Sequence, residues 1–174
     1  MRKSVTLIEL LVVLILFGVI ITAAFSFDLA SRRFLRSTET KTSVLNDVSL
    51  IVDYMHKEVS QAQGSRDNLG IDLDKTNPAY DELTITKSSG IECLFRYYKA
   101  NKNLVFFPDK NQPANIILSG RVTEWSLSDF DSTSGFVNLN NITVIYDTAK
   151  GPDPRENPTA TMTNITFFPF SHSF

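Results

Sequence analysis

Eighteen consecutive residues, Leu10 to Phe27, carry no charge, and a single carboxylate, Glu9, stands at the mouth of that run. As a helix rising about 1.5 Å per residue the run reaches roughly 27 Å, close to the hydrocarbon thickness of a bilayer, about 30 Å. Its large apolar side chains, about thirteen of them, favour insertion by roughly 4 to 8 kcal/mol, whereas Glu9 near the helix end opposes it by at most about 3 kcal/mol. Insertion wins. The acid then either marks the lipid interface or waits for a cation.

Two readings compete for these residues. Arg2 and Lys3 form the basic n-region of a secretory signal, and Ala23-Ala24 supplies small residues for its cleavage. Against this, the run exceeds the usual h-region of about 7 to 15 residues, and an acid between n-region and h-region is out of place. Charge does not settle the orientation, because Arg2 and Lys3 precede the span while Arg32, Arg33, Arg36 and Lys41 follow it.

The second reading comes from a resemblance. Arg2-Lys3-Ser4 followed by Val5-Thr6-Leu7-Ile8-Glu9-Leu10-Leu11-Val12 resembles the type III signal of type IV pilins and type II secretion pseudopilins. The resemblance implies a prepilin peptidase cutting between Ser4 and Val5 on the cytoplasmic side, N-methylation of Val5, and an assembly role for Glu9. That family usually has Gly before the cut and Phe after it; here they are Ser4 and Val5. It also implies, as partners, other pilin or pseudopilin subunits, an inner-membrane assembly platform and membrane lipid. The location implied is the inner membrane, with the bulk of the chain on the periplasmic or extracellular side, and then the filament. Once cut, the chain presents an ammonium at Val5 one helical turn from Glu9. Both charges are costly in an apolar bundle unless paired, so a neighbour shifted axially satisfies them only in one register. Thr6 either hydrogen-bonds near that terminus and shares in assembly or, as is commoner for a Thr in a membrane helix, is simply tolerated there.

Beyond the span nothing stops the helix, since no Pro occurs before Pro78 and no Gly lies between Gly18 and Gly64. A helix from Val5 to Gln63 would be roughly 88 Å long, with Gly64 as its C-terminal stop. Leu45, Val48, Val52, Met55, Val59 and Ala62 recur at steps of three and four, a stripe that needs a partner. Residues 64–82 are polar and rich in turn formers and read as a connection. Asp67, Asp72 and Asp74 there do not have EF-hand spacing, and no metal is assigned.

From Leu83 the periodicity becomes that of strands. LTITK and IECLFRYYK flank Ser88-Ser89-Gly90 as a hairpin, Asn101-Lys102-Asn103 turns into LVFF, and NIILSG, VTEWSLSDF, VNLNNITVIYD and ATMTNITFFPF follow. About seven strands after one long helix predict an α+β fold in which an antiparallel sheet covers the helix stripe. Alternation puts Trp125 and Leu127 inside, with Val122 and Glu124 on the opposite face. The expected organisation is a leader over 1–4, a membrane segment over 5–27, an amphipathic continuation over 28–63, a connection over 64–82 and a β-rich head over 83–174. The strand order is similar to minor subunits typified by general secretion pathway protein J and the W-type minor pilins.

Composition narrows the function. Without Arg2, Lys3 and Glu9, 15 of the 17 basic and 18 of the 19 acidic groups remain, a charge of −3, which is no surface for nucleic acid. Arg96, Tyr97, Tyr98, Lys99 and Lys102 form the nearest thing to a basic and aromatic patch, and KGPDPRENP (Lys150 to Pro158) the most prominent exposed loop. Cys93 is alone, so no internal disulfide forms, and its apolar strand reads as a buried site. His56 and His172 are far from Cys93 in sequence, and no phosphate loop, HExxH or paired Cys ligands occur. No catalytic or cofactor-binding residues are assigned. Three classes remain: a structural pilin-like subunit, an adhesion or DNA-capture module on such a filament, and an ordinary single-pass or secreted protein.

Overall fold

The computed structural model describes residues 6–63, 70–113, 115–128, 137–153 and 156–168. Its fold is α+β. One helix, α1 (Leu7–Val59), precedes eight described strands, namely β1 (Ile71–Asp74), β2 (Tyr80–Thr86), β3 (Glu92–Tyr98), β4 (Asn103–Phe107), β5 (Ile116–Ser119), β6 (Val122–Leu127), β7 (Val137–Ile145) and β8 (Thr159–Phe167). By its contacts the chain divides into two units, Met1–Glu39 and Thr40–Phe174.

From Leu7 on, the first unit is helix. Among the described residues nothing covers its apolar run: Leu10 is 60% and Phe27 75% exposed, with the residues between them similar. Three hydroxyls in and after that run are satisfied by the helix itself. The hydroxyls of Thr22 and Ser26 donate to the carbonyls of Gly18 and Thr22, each at 2.8 Å, and Thr38 donates to Phe34 O at 3.0 Å. Such i−4 bonding lets a hydroxyl sit where no water is available.

In the second unit α1 buries Val44, Val48, Ile51, Met55 and Val59, and Ala62 follows just past its end. The expected stripe was correct at Val48, Met55, Val59 and Ala62. Leu45, however, is 54% exposed and Val52 only half-buried, their places being taken by Val44 and Ile51. Val44-Leu45 and Ile51-Val52 are adjacent apolar pairs, and a turn of about 100° per residue decides which member faces inward. The chosen face is the one that also carries Glu58.

The strands form two antiparallel meanders, β1-β2-β3-β4-β5 and β6-β7-β8, rather than one sheet. Residues from both sheets and from α1 share one core, with Phe95, Leu104, Leu127, Leu139 and Phe167 among its best buried members. The division falls at Gly120-Arg121, where side chains are drawn to the helix. Ser119 Oγ donates to Asp47 Oδ2 at 2.8 Å, and the Arg121 guanidinium donates to the same oxygen at 2.8 Å and to Ser43 Oγ at 3.1 Å. Alternation predicts strands but not their partners, and this polar corner is what separates β5 from β6.

Two further expectations need correction. The connection expected over 64–82 holds β1 and the start of β2, pairing Ile71 with Ile85 and Leu73 with Leu83; Ile71 and Leu73 supply the inward face that polar neighbours hid. Val122 is buried beside Trp125 and Leu127 because the register shifts between Val122 and Glu124, a bulge that re-aims one side chain. Gly64, the expected helix stop, lies outside the described residues. Gly70 takes a left-handed conformation (φ 69°) and a Cβ there would collide with Gln63 O, so the strand start depends on glycine.

Cys93 is buried and free, as expected. It lies against a buried ion pair that the sequence did not announce. Glu58, 3% exposed, bonds Lys87 and accepts from Cys93 Sγ at 3.7 Å. Burial, reinforced by the Glu58 charge and opposed by Lys87, pushes the thiol up to about 12. Removing one partner leaves the other charge buried and unpaired. Lys87→Met is therefore expected to lower stability by about 3 kcal/mol in denaturant unfolding of the full chain in detergent, while Glu58→Leu/Lys87→Met recovers most of the loss.

Candidate functional site

The start of α1 is built by a reciprocal pair. The Thr6 backbone N–H donates to Glu9 Oε2 at 2.8 Å, the Thr6 hydroxyl donates to the same oxygen at 3.0 Å, and the Glu9 N–H reaches Thr6 Oγ1 at 3.4 Å. Thr6 is thus the N-cap and Glu9 the third helical residue of a capping box. Two donors that α1 cannot satisfy internally are met, and a negative group stands at the positive end of the helix dipole. The signal was legible as Thr6-Leu7-Ile8-Glu9, the S/T-x-x-E pattern before an apolar run, although its capping meaning was not drawn from it.

The four residues assigned to this site by sequence divide accordingly. Thr6 and Glu9 are brought together; Ser4 and Val5 lie outside the described residues. All atoms of the capping box are C-terminal to the Ser4–Val5 bond, so removal of 1–4 would leave it intact. The carboxylate keeps Oε1 for a further donor, and the apolar wall beginning at Leu10 is exposed beside it. Chemically the site can accept a cation at the edge of lipid while holding its helix closed. Over this helix, length and composition are sufficient to cross a membrane.

The basic and aromatic patch has a different character. Arg96 donates from Nε and Nη2 to Glu82 Oε2 at 3.0 and 2.7 Å and lies over the Tyr80 ring at 4.6 Å. Tyr97 is buried, its hydroxyl donating to Val122 O at 3.1 Å, and burial, with help from Asp81 and Glu124, raises its pKa. Lys99 bonds Asp81 Oδ1 at 2.7 Å and Asn77 O at 3.2 Å. Arg96 and Lys99 therefore each face a carboxylate of β2, and Tyr97 belongs to the core.

The described residues of the Lys150–Pro158 segment are tied together by Asn157. Asn157 is buried; its amide donates to the carbonyls of Asp147, Lys150 and Gly151 at 2.9 to 3.1 Å, and its Oδ1 accepts from Asp147 N at 2.7 Å. Asp74 accepts from Thr76 N and Oγ1 at 2.8 and 2.6 Å, which lowers its pKa, and acts as a turn-former. His56 is exposed on α1; His172 and Asp67 lie outside the described residues.

Residues 1–25 match the family model of the prokaryotic N-terminal methylation motif. This is the pilin-type signal, and it ends within the apolar run. No curated protein and no solved structure matches the chain.

If the capping box holds the first turn, Thr6→Ala should cost about 1 kcal/mol there. Hydrogen exchange at the Glu9 and Leu10 amides, measured in micelles, is expected to quicken about fivefold, with exchange around Ile51 unchanged.

Proposed function

We propose that this chain is a structural subunit of pilin type, a minor pilin or pseudopilin that joins a type IV pilus or a type II secretion pseudopilus. The single observation that carries the reading is the combination of the methylation motif over residues 1–25 with an apolar helical run that nothing among the described residues covers. A prepilin peptidase removes residues 1–4 at the Ser4–Val5 bond and Val5 receives the methyl group. The subunit waits in the inner membrane, its C-terminal unit on the periplasmic or extracellular side. An assembly platform then lifts it into a filament of sister subunits. It is a substrate of enzymes and not an enzyme.

Glu9 has two successive partners in this scheme. While the subunit is stored, its carboxylate is held by Thr6, which offsets part of the cost of a charge at the lipid edge. In the filament the Val5 ammonium of a neighbouring subunit supplies the counter-charge. The exchange favours one axial register, because any other leaves an ammonium and a carboxylate both unpaired in apolar surroundings.

Capping and charge pairing are separable by substitution. Glutamine serves at the third position of a capping box as glutamate does, but it carries no charge. Glu9→Gln and Glu9→Ala are both expected to cut incorporation into filaments at least about tenfold in cells that retain the normal partners, a loss of about 1.4 kcal/mol or more. Filaments containing the Gln variant at wild-type level would limit Glu9 to capping.

A further inference from the structure

Directly after the apolar run, α1 changes character within two turns. Arg32, Arg33 and Arg36 follow Phe27 at about 8, 9 and 14 Å along the axis. The headgroup layer on each side of a bilayer is about 5 to 8 Å deep, so Arg32 falls at its outer edge, and the long side chains of Arg33 and Arg36 reach back toward it. Arg32 and Arg36 are one turn apart and share a face with Asp28, and Arg33 lies about 100° round. Phe34, 71% exposed, is two residues past Arg32 and stands on the far side, next to Leu35.

Three arginines against Asp28 give a formal charge of +2 over residues 28–36. The Arg32 Nε–Asp28 Oδ2 pair, 2.9 Å long, is exposed on both sides (76% and 53%), so it is weak and exchangeable. Guanidinium groups bind phosphate oxygens through paired N–H donors. After removal of the leader, Arg2 and Lys3 are gone, and the span is flanked by the Val5 ammonium at its start and by these arginines at its end. The arginines stand on the side where such charge disfavours translocation.

We propose that Arg32, Arg33 and Arg36 form a phosphate-binding collar that ties the membrane-stored subunit to anionic phospholipids of the leaflet on the C-terminal side of the span. Phe34 enters the same interface from the opposite side of the helix and Leu35 from the flank between Phe34 and Arg32, as aromatic and aliphatic groups do at headgroup level. The membrane is the favoured partner because the collar continues, on the same helix, a surface that already faces lipid. The inference rests on the membrane-stored state described under the proposed function.

The test uses the full chain reconstituted in phosphatidylcholine vesicles containing a trace of spin-labelled phosphatidylglycerol or spin-labelled phosphatidylcholine. Electron spin resonance reads the relative association of each lipid with the protein. The wild type is expected to prefer phosphatidylglycerol roughly threefold. Arg32→Gln/Arg33→Gln/Arg36→Gln is expected to lose that preference while remaining in the bilayer. Equal association of both lipids with the wild type, or an undiminished preference in the triple variant, would overturn the collar. Loss of the preference on adding millimolar inorganic phosphate at constant ionic strength would assign the arginines to a soluble anion and also overturn it. Alkaline carbonate extraction separates the two levels: release of the wild type from vesicles would overturn the stored membrane state itself, whereas retention without lipid preference would overturn the collar alone.

Discussion

One uninterrupted helix has to satisfy two solvents. Over Leu10 to Phe27 every large side chain of α1 is exposed, and over Val44 to Val59 a regular stripe is buried. Left in water, the first stretch would forfeit about 25 cal/mol for each Å² of its apolar surface. Nothing in the described chain covers it, so lipid or other helices must. The second stretch is amphipathic in the ordinary sense and is covered by the chain's own sheets. The absence of Pro and Gly between Gly18 and Gly64 lets one element carry both roles.

The same helix carries acids whose treatment follows the surroundings. Asp47, part-exposed, is met by the Arg121 guanidinium and the Ser119 hydroxyl, and this contact fixes the corner between the sheets. Glu58 is buried and is met by Lys87. Among the described residues Glu9, at the edge of the apolar run, is met by the hydroxyl and amide of Thr6, which are neutral groups. Asp47 and Glu58 thus have a cation from their own chain, whereas Glu9 has dipoles and keeps electrostatic capacity that those two have spent.

Much of this was legible in the residues. The motif came from its resemblance to the pilin-type signal, the span and the helical continuation followed from charge and spacing, and the hairpin around Ser88-Ser89-Gly90 followed from turn chemistry. Periodicity gave the stripe but not its exact azimuth, because Val44-Leu45 and Ile51-Val52 each offer two apolar neighbours. Alternation gave strands but not the division into two sheets, which depends on Asp47 meeting Arg121 across some seventy residues of sequence. The pair Glu58 and Lys87 left no local trace for the same reason. β1 was hidden because its inward residues, Ile71 and Leu73, alternate with aspartates that resemble a loop.

The central claim is that the N-terminal segment is a processed pilin-type signal whose helix then remains with the mature subunit. Intact mass and N-terminal sequencing of the chain purified from its native membrane address it most directly. The expected product begins at N-methylated Val5 and retains the whole of Leu10 to Phe27. A mature chain beginning near Phe25 to Phe27 would contradict the claim, since the apolar run would then be a discarded secretory signal.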